Sequence, residues 1–134
     1  MIQVYSNTPT AILEGGTLPF LSSVERRGCT TALNGGNISI RHKGIYLIVA
    51  NFSFAPTAAG DVIITMQRDG VESLVNIGSE TAAAAGDIVN ITIPSIVTAD
   101  HDETRCCGAV PITYTVNVAG TLISANATVT KYNC

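Results

Sequence analysis

Hydrophobic and polar residues alternate with period two along most of this chain, and glycine, proline and asparagine interrupt the alternation at short intervals. That period puts successive side chains on opposite faces of a pleated strand. The clearest case lies over residues 44–54, where Tyr46, Ile48, Ala50, Phe52 and Phe54 share one face. The other face starts apolar at Ile45, Leu47 and Val49 and turns polar at Asn51 and Ser53. Apolar residues on both faces predict a central strand, buried on both sides for half its length.

The same pattern predicts about eight to ten short antiparallel strands and no amphipathic helix. Residues 2–5 form a candidate first strand, followed by breaks at Asn7-Thr8-Pro9 and Glu14-Gly15-Gly16. Residues 18–21 contain Pro19 and make at most an edge strand, because proline cannot donate to a ladder. A strand over 29–33 and the alternating Ile38-Ser39-Ile40 flank a strong turn at Asn34-Gly35-Gly36-Asn37. After a loop at 55–61, a strand over 62–68 runs through the hairpin signal Asp69-Gly70 into a strand over 71–77. A small-residue connection over 78–86 precedes alternation through Val89, Ile91 and Ile93, ended or bent at Pro94, with Ile96-Val97 as a resumption. A polar loop over 100–108 follows. Ile112, Tyr114, Val116 and Val118 alternate, and Ala119-Gly120 turns the chain into a last strand with Ile123, Ala125, Ala127 and Val129 on one face. Valine, isoleucine and threonine dominate these segments, as suits pleated sheets. Strands at this spacing predict an all-β jelly-roll β-sandwich.

Composition sharpens the picture. The 134 residues fit one domain over 1–134. Only 13% are charged, against about 25% in an average soluble domain. Either the exterior is rich in Ser, Thr and Asn, or apolar surface is buried against partners. A net charge of −3 and the absence of any Lys/Arg run argue against nucleic-acid binding. The longest apolar stretch, 44–50, is far too short to span a bilayer, and Met1-Ile2-Gln3-Val4-Tyr5 lacks a signal-peptide pattern, so we expect no membrane insertion.

The candidate chemistry is sparse. Cys29, Cys106, Cys107 and Cys134 are candidate disulfide partners with three full pairings. Adjacent Cys106 and Cys107 rarely bond each other, because the bridge strains the peptide between them. Pairing either with Cys29 or Cys134 is easier if the polar loop and the C-terminus share one end. Synthesis in a reducing cytoplasm favours four free thiols instead. His101, Cys106 and Cys107, with Cys29 or Cys134, offer zinc-binding atoms, but not the Cys-x-x-Cys spacing that presents two thiolates together. Asp100, Asp102 and Glu103 lack the spacing and glycine of a calcium loop, so a solvated acidic loop is the plainer interpretation. The two histidines, His42 and His101, lie in polar loops, and no Gly-x-Ser-x-Gly or His-Glu-x-x-His is present. We therefore expect no enzyme activity, no cofactor and no metal. Sequons at Asn37, Asn51, Asn90 and Asn126 fall mostly inside predicted strands and read as chance. With 5% aromatics and no tryptophan, stacking platforms for sugars or bases are few.

Residues 34–68 and their borders resemble the tumour necrosis factor and complement globular-head superfamily. The resembling residues are Leu33-Asn34-Gly35-Gly36-Asn37-Ile38-Ser39-Ile40, then Gly44-Ile45-Tyr46, Val62-Ile63-Ile64 and the Asp69-Gly70 turn. In that family a Gly-x-Tyr opens a central strand, and an Asn-Gly or Asp-Gly hairpin follows about one strand later. The closing segment with Val129-Thr130-Lys131 is similar to the family's final buried strand. The resemblance covers about half the chain and offers no counterpart for the Cys106-Cys107 loop.

This resemblance implies a tumour necrosis factor-like jelly roll that packs as a homotrimer. The whole chain also resembles small structural proteins of phages infecting gut Firmicutes. That likeness implies a protein made in a bacterial host cytoplasm and carried on the virion surface. Its role would be a structural one, as a capsid decoration or head-fibre protein bound to capsid or other virion proteins. In a trimer, Tyr46, Ile48, Phe52, Phe54 and Tyr114 fill either the sandwich core or the subunit interface, and sequence does not divide the two. Residues 1–21 are a candidate N-terminal arm for docking by β-augmentation. The alternative is a receptor- or glycan-binding fibre tip using the loops 55–61, 79–86 and 100–108. A small cupin-like enzyme shares the architecture but needs a clustered metal triad that two distant histidines do not supply.

Overall fold

The computed structural model describes residues 2–26, 31–34, 36–69, 71–99 and 110–132. Among them are eleven strands and no helix: β1 (Ile2–Ser6), β2 (Thr10–Ile12), β3 (Ser22–Arg26), β4 (Thr31–Asn34), β5 (Asn37–Ile40), β6 (Gly44–Pro56), β7 (Gly60–Arg68), β8 (Val71–Ala82), β9 (Val89–Ala99), β10 (Val110–Val116) and β11 (Gly120–Tyr132). They form two antiparallel sheets. The first runs β3-β1-β11-β6-β9, with β2 also paired to β11, and the second runs β4-β5-β10-β7-β8. This is the jelly-roll sandwich that the alternating pattern predicts.

The period-two rows make the core. Tyr46, Ile48, Ala50, Phe52 and Phe54 of β6 are all buried between the sheets, as are Ile112, Tyr114 and Val116 of β10. At the centre, Phe52 packs against Phe20 (ring centroids 5.7 Å apart) and Tyr114 (5.1 Å), and Phe20 meets Tyr114 edge-on at 6.1 Å. Phe20 reaches this position from an irregular segment pinned by its N–H, which donates to the Gly36 carbonyl.

Four sequence expectations need correction. The expected connection over 78–86 begins later, because β8 continues to Ala82. Gly78 is a packing glycine rather than a turn glycine: a Cβ there would meet the Ile91 and Ile93 side chains of β9. Pro94 neither ends nor bends pairing, since β9 stays in register with β6 through Val49↔Pro94. The strand is the outer one of its sheet, where proline is tolerated. In β11 the inward row starts with Leu122, not Ile123. The register shifts between Leu122 and Ser124, so Ile123 is the extra residue of a bulge and is only half-buried. Finally, the expected N-terminal arm is built into the domain. β1 lies between β3 and β11, and Ile2, Val4, Ile12, Leu18 and Phe20 are buried.

The open side of the sandwich is stitched across the sheets. The Asn90 backbone N–H donates to Glu80 Oε2 (3.0 Å), joining β9 to β8. At the β7–β8 hairpin, Asp69 adopts the left-handed conformation (φ 53°) that asparagine and aspartate tolerate best after glycine.

One polar group sits awkwardly in the core. The Tyr114 hydroxyl is buried without a well-formed hydrogen bond. Ser95 approaches it, but the Ser95 hydroxyl donates to the Ile48 carbonyl at 3.4 Å. Burial pushes the Tyr114 phenol well above its ordinary range, and Ser95 offsets only part of that shift. Removing an underpaired buried hydroxyl costs little, whereas emptying the aromatic cluster costs its full packing.

Urea unfolding should therefore show Phe52→Ala losing about 3–5 kcal/mol and Tyr114→Phe staying within about 1 kcal/mol of the parent, or gaining. The raised folded-state pKa fixes a sign as well. Below pH about 10 the phenol is neutral in both states and contributes no slope; above it, only the unfolded chain ionises freely. Stability should fall as pH rises past 10, and less steeply in Tyr114→Phe.

Candidate functional site: an uncharged sheet face and two unlike ends

The outer face of the first sheet is built by the residues of β6, β9 and β11 that alternate with the core rows. Register places Ile45 opposite Tyr132 and Thr98, and Leu47 opposite Ile96 and Thr130. Ile45 and Leu47 are each 43% exposed, Ile96 70% and Tyr132 69%. These four side chains line an open, wholly apolar depression of about 400 Å³. The expectation that β6 is covered on both sides is thus corrected: among the described residues no layer lies over Ile45 and Leu47.

Further along the same face, the rows become polar. The Thr92 hydroxyl donates to Asn51 Oδ1 (2.7 Å), and Asn51 Nδ2 donates to Asn126 Oδ1 (2.9 Å). In the next row the Ser53 hydroxyl donates to Asn90 Oδ1 (2.7 Å). Three of the sequons thus contribute their asparagines to a cross-strand ladder, which accounts for their place in the strands. From Ile45 to Ser53, Asn90 to Thr98 and Ser124 to Tyr132, no outward position carries a charge. Charge depletion around an apolar patch is a mark of protein interfaces rather than of free surface.

The loops fall at two ends. β6 and β9 run the length of the sandwich, with Phe54↔Val89 at one end and Gly44↔Ala99 at the other. Residues 57–59, 83–88 and 117–119 share the first end, with the 13–16 turn. Backbone bonds tie them: Gly86 N–H to Pro56 O, Thr57 N–H to Ala119 O, and Gly15 N–H to Val116 O. Leu13 and Ile88 are exposed there. Ala99 and Val110 stand at the opposite end, with the 41–43 turn. Of the three loops expected to carry recognition, 55–61 and 79–86 border the first end, and 100–108 lies outside the described residues.

Tyr46, Ile48, Phe52, Phe54 and Tyr114, left undivided between core and interface by sequence, all lie in the core. The Tyr46 hydroxyl reaches the end of the sandwich and donates to the His42 carbonyl at 2.7 Å. Cys29, His101, Cys106, Cys107, Cys134, Asp100, Asp102 and Glu103 lie outside the described residues. Among the described residues no cluster of His, Cys, Asp and Glu is arranged to hold a metal. Sequence reasoning misses Ile96 and Tyr132 as surface anchors. The available signal is the run of outward positions without charge on three strands that pair in one sheet.

No family model and no curated protein sequence matches the chain. Solved structures match its fold over nearly its whole length. The tumour necrosis factor Eiger of S. frugiperda superposes with a TM-score of 0.78 at 8% identity, covering 98% of this chain and 91% of that one. Murine APRIL gives 0.65 at 14% identity, with 98% and 97% covered. The globular domain of zebrafish complement 1qA protein gives 0.65 at 9% identity, with 94% and 92% covered. The fold is a tumour necrosis factor-like jelly roll.

Proposed function

We propose that this chain is a self-assembling structural protein. Three copies pack through the outer face of β6, β9 and β11, and the trimer decorates the surface of a bacteriophage virion as a capsid decoration or head-fibre protein. The observation that carries the assembly is the exposed apolar set Ile45, Leu47, Ile96 and Tyr132 on a face without charge.

The magnitudes fit. Fully burying a large apolar side chain is worth about 1.5–3 kcal/mol. Since Ile45 and Leu47 are already more than half covered, the four supply on the order of 3–7 kcal/mol per face, within the roughly 4–15 kcal/mol that association costs in lost freedom only at its lower end. The surrounding Thr and Asn rows extend the contact toward the ~800 Å² per partner of a stable interface. A face that meets a different surface on the next copy closes into a ring under three-fold rotation.

The virion role carries over the resemblance expected from the sequence alone; no family model or curated sequence match stands behind it. With β1 committed to the sheet, attachment to a shell falls to the loop-bearing ends rather than to an arm.

Light scattering on the purified protein should give a mass near three times 13.9 kDa. Leu47→Asp, which places a charge on the face but outside the core, should give a monomer with an unchanged strand circular-dichroism spectrum. A parent protein that stays monomeric, or a Leu47→Asp trimer, overturns the assembly. For the virion role, the trimer should co-sediment with capsids of the phage whose genome encodes it; failure to do so overturns that role and leaves the assembly standing.

A further inference from the structure

We infer that Glu80 and Pro94 decide which surface of this chain can join another copy. Together they close the free edges of the two sheets to strand addition by a second molecule, which leaves the sheet faces as the route to assembly.

The need arises from the topology. β9 ends the first sheet and β8 ends the second, and the two lie on the same flank of the sandwich. They are 11 and 12 residues long, against 5 and 4 for β3 and β4, which end the sheets on the other flank. A long strand with one unpaired side is a template for pairing with another chain, so the β8–β9 flank carries the hazard.

Strand period shows where the backbone of β9 points. Its odd-numbered residues are buried and its even-numbered residues face out. Backbone N–H and C=O groups alternate between the two sides of a strand with the same period. The Asn90 N–H points away from β6, to Glu80 Oε2 on β8 (3.0 Å). Asn90, Thr92, Pro94, Ile96 and Thr98 therefore present their backbone groups to the free edge, and the odd positions bond to β6. Pro94 stands in the middle of that row with no N–H, and its ring occupies the place of the hydrogen. It costs no bond to β6, and it blocks the approach of a partner carbonyl. With the Asn90 donor held by Glu80, Thr92 is left isolated between two blocked positions. Beyond Pro94, Ile96 and Val97 border a cleft whose lining includes Arg68, Asp69 and Glu72 of the β7–β8 hairpin. Charged side chains beside an edge discourage a new strand.

Glu80 guards the second sheet as well. It belongs to the row of β8 that faces β9: Ala82 in that row is buried, and a Cβ on Gly78 would meet Ile91 and Ile93. A carboxylate in an inward row is tolerated where water reaches it, and Glu80 is exposed. A strand added to either edge would cover Glu80 or break its bond to Asn90, at the desolvation cost of an unpaired charge.

The test is a double variant, Glu80→Thr with Pro94→Thr, which removes both guards and puts residues of high strand propensity in their place. We expect it to keep the parent's strand circular dichroism, to grow to at least double the parent's mass by light scattering, and to raise thioflavin T fluorescence as concentration increases. Adding Thr92→Pro moves the missing donor to the neighbouring edge position and should return the mass to that of the parent. A generally weakened fold would instead aggregate more with Thr92→Pro. A double variant that keeps the parent's mass overturns the inference, as does one that loses its strand signal or whose assemblies persist with Thr92→Pro. Every mass is read against the parent's own, so the outcome stands apart from whether the parent is a trimer.

Discussion

The pairing of β6 with β11 is the constraint on which the rest of the structure depends. The two strands stay in register from Gly120↔Pro56 to Tyr132↔Ile45, broken only by the bulge at Ile123. A period-two repeat held over that length commits every second side chain of both strands to one of two faces. One face supplies Tyr46, Ile48, Ala50, Phe52 and Phe54, with Ala125, Ala127 and Val129, to the core. The opposite face inherits Ile45, Leu47 and Tyr132, and none of the described residues covers them. A slip of one residue exchanges the two sets, so the core and the exposed apolar patch are fixed by a single choice of register. β1 and β2 on β11, and β9 on β6, extend the same decision across the sheet.

Much of this is legible in the sequence because alternation assigns residues to faces without knowledge of neighbours. The inward row of β6 and that of β10 are readable on that ground alone. Alternation fails where pairing is irregular: the bulge moves the inward row of β11 from Ile123 to Leu122. It also fails where a glycine serves packing rather than turning, as at Gly78 against Ile91 and Ile93. The five residues of β1 suit a free arm as well as an interior strand, since a short strand does not name its partners. The exposed patch shows the limit most clearly. Ile45 and Leu47 announce a covered surface, but period cannot say whether the cover comes from the same chain or from another molecule.

The low charge of the chain takes on meaning in this light. Charges are absent from the outward rows of β6, β9 and β11 and collect at strand ends and turns, as in Arg41-His42-Lys43, Arg68-Asp69 and Glu14. A surface of that kind suits protein contact, with the Thr92–Asn51–Asn126 row giving it a directional, hydrogen-bonding centre beside the apolar patch. The two ends are chemically distinct. One carries loops tied by backbone hydrogen bonds, with Leu13 and Ile88 exposed beside Glu14 and Asp87, and the other carries the Arg41-His42-Lys43 turn.

The most direct test of the central claim is hydroxyl-radical footprinting of the native protein, read at Tyr132 and Ile96 against Leu13 and Ile88. All four are exposed in a single chain. If the uncharged face is an assembly interface, Tyr132 and Ile96 are protected while Leu13 and Ile88 are labelled freely. Labelling of Tyr132 and Ile96 in proportion to their single-chain exposure contradicts the account.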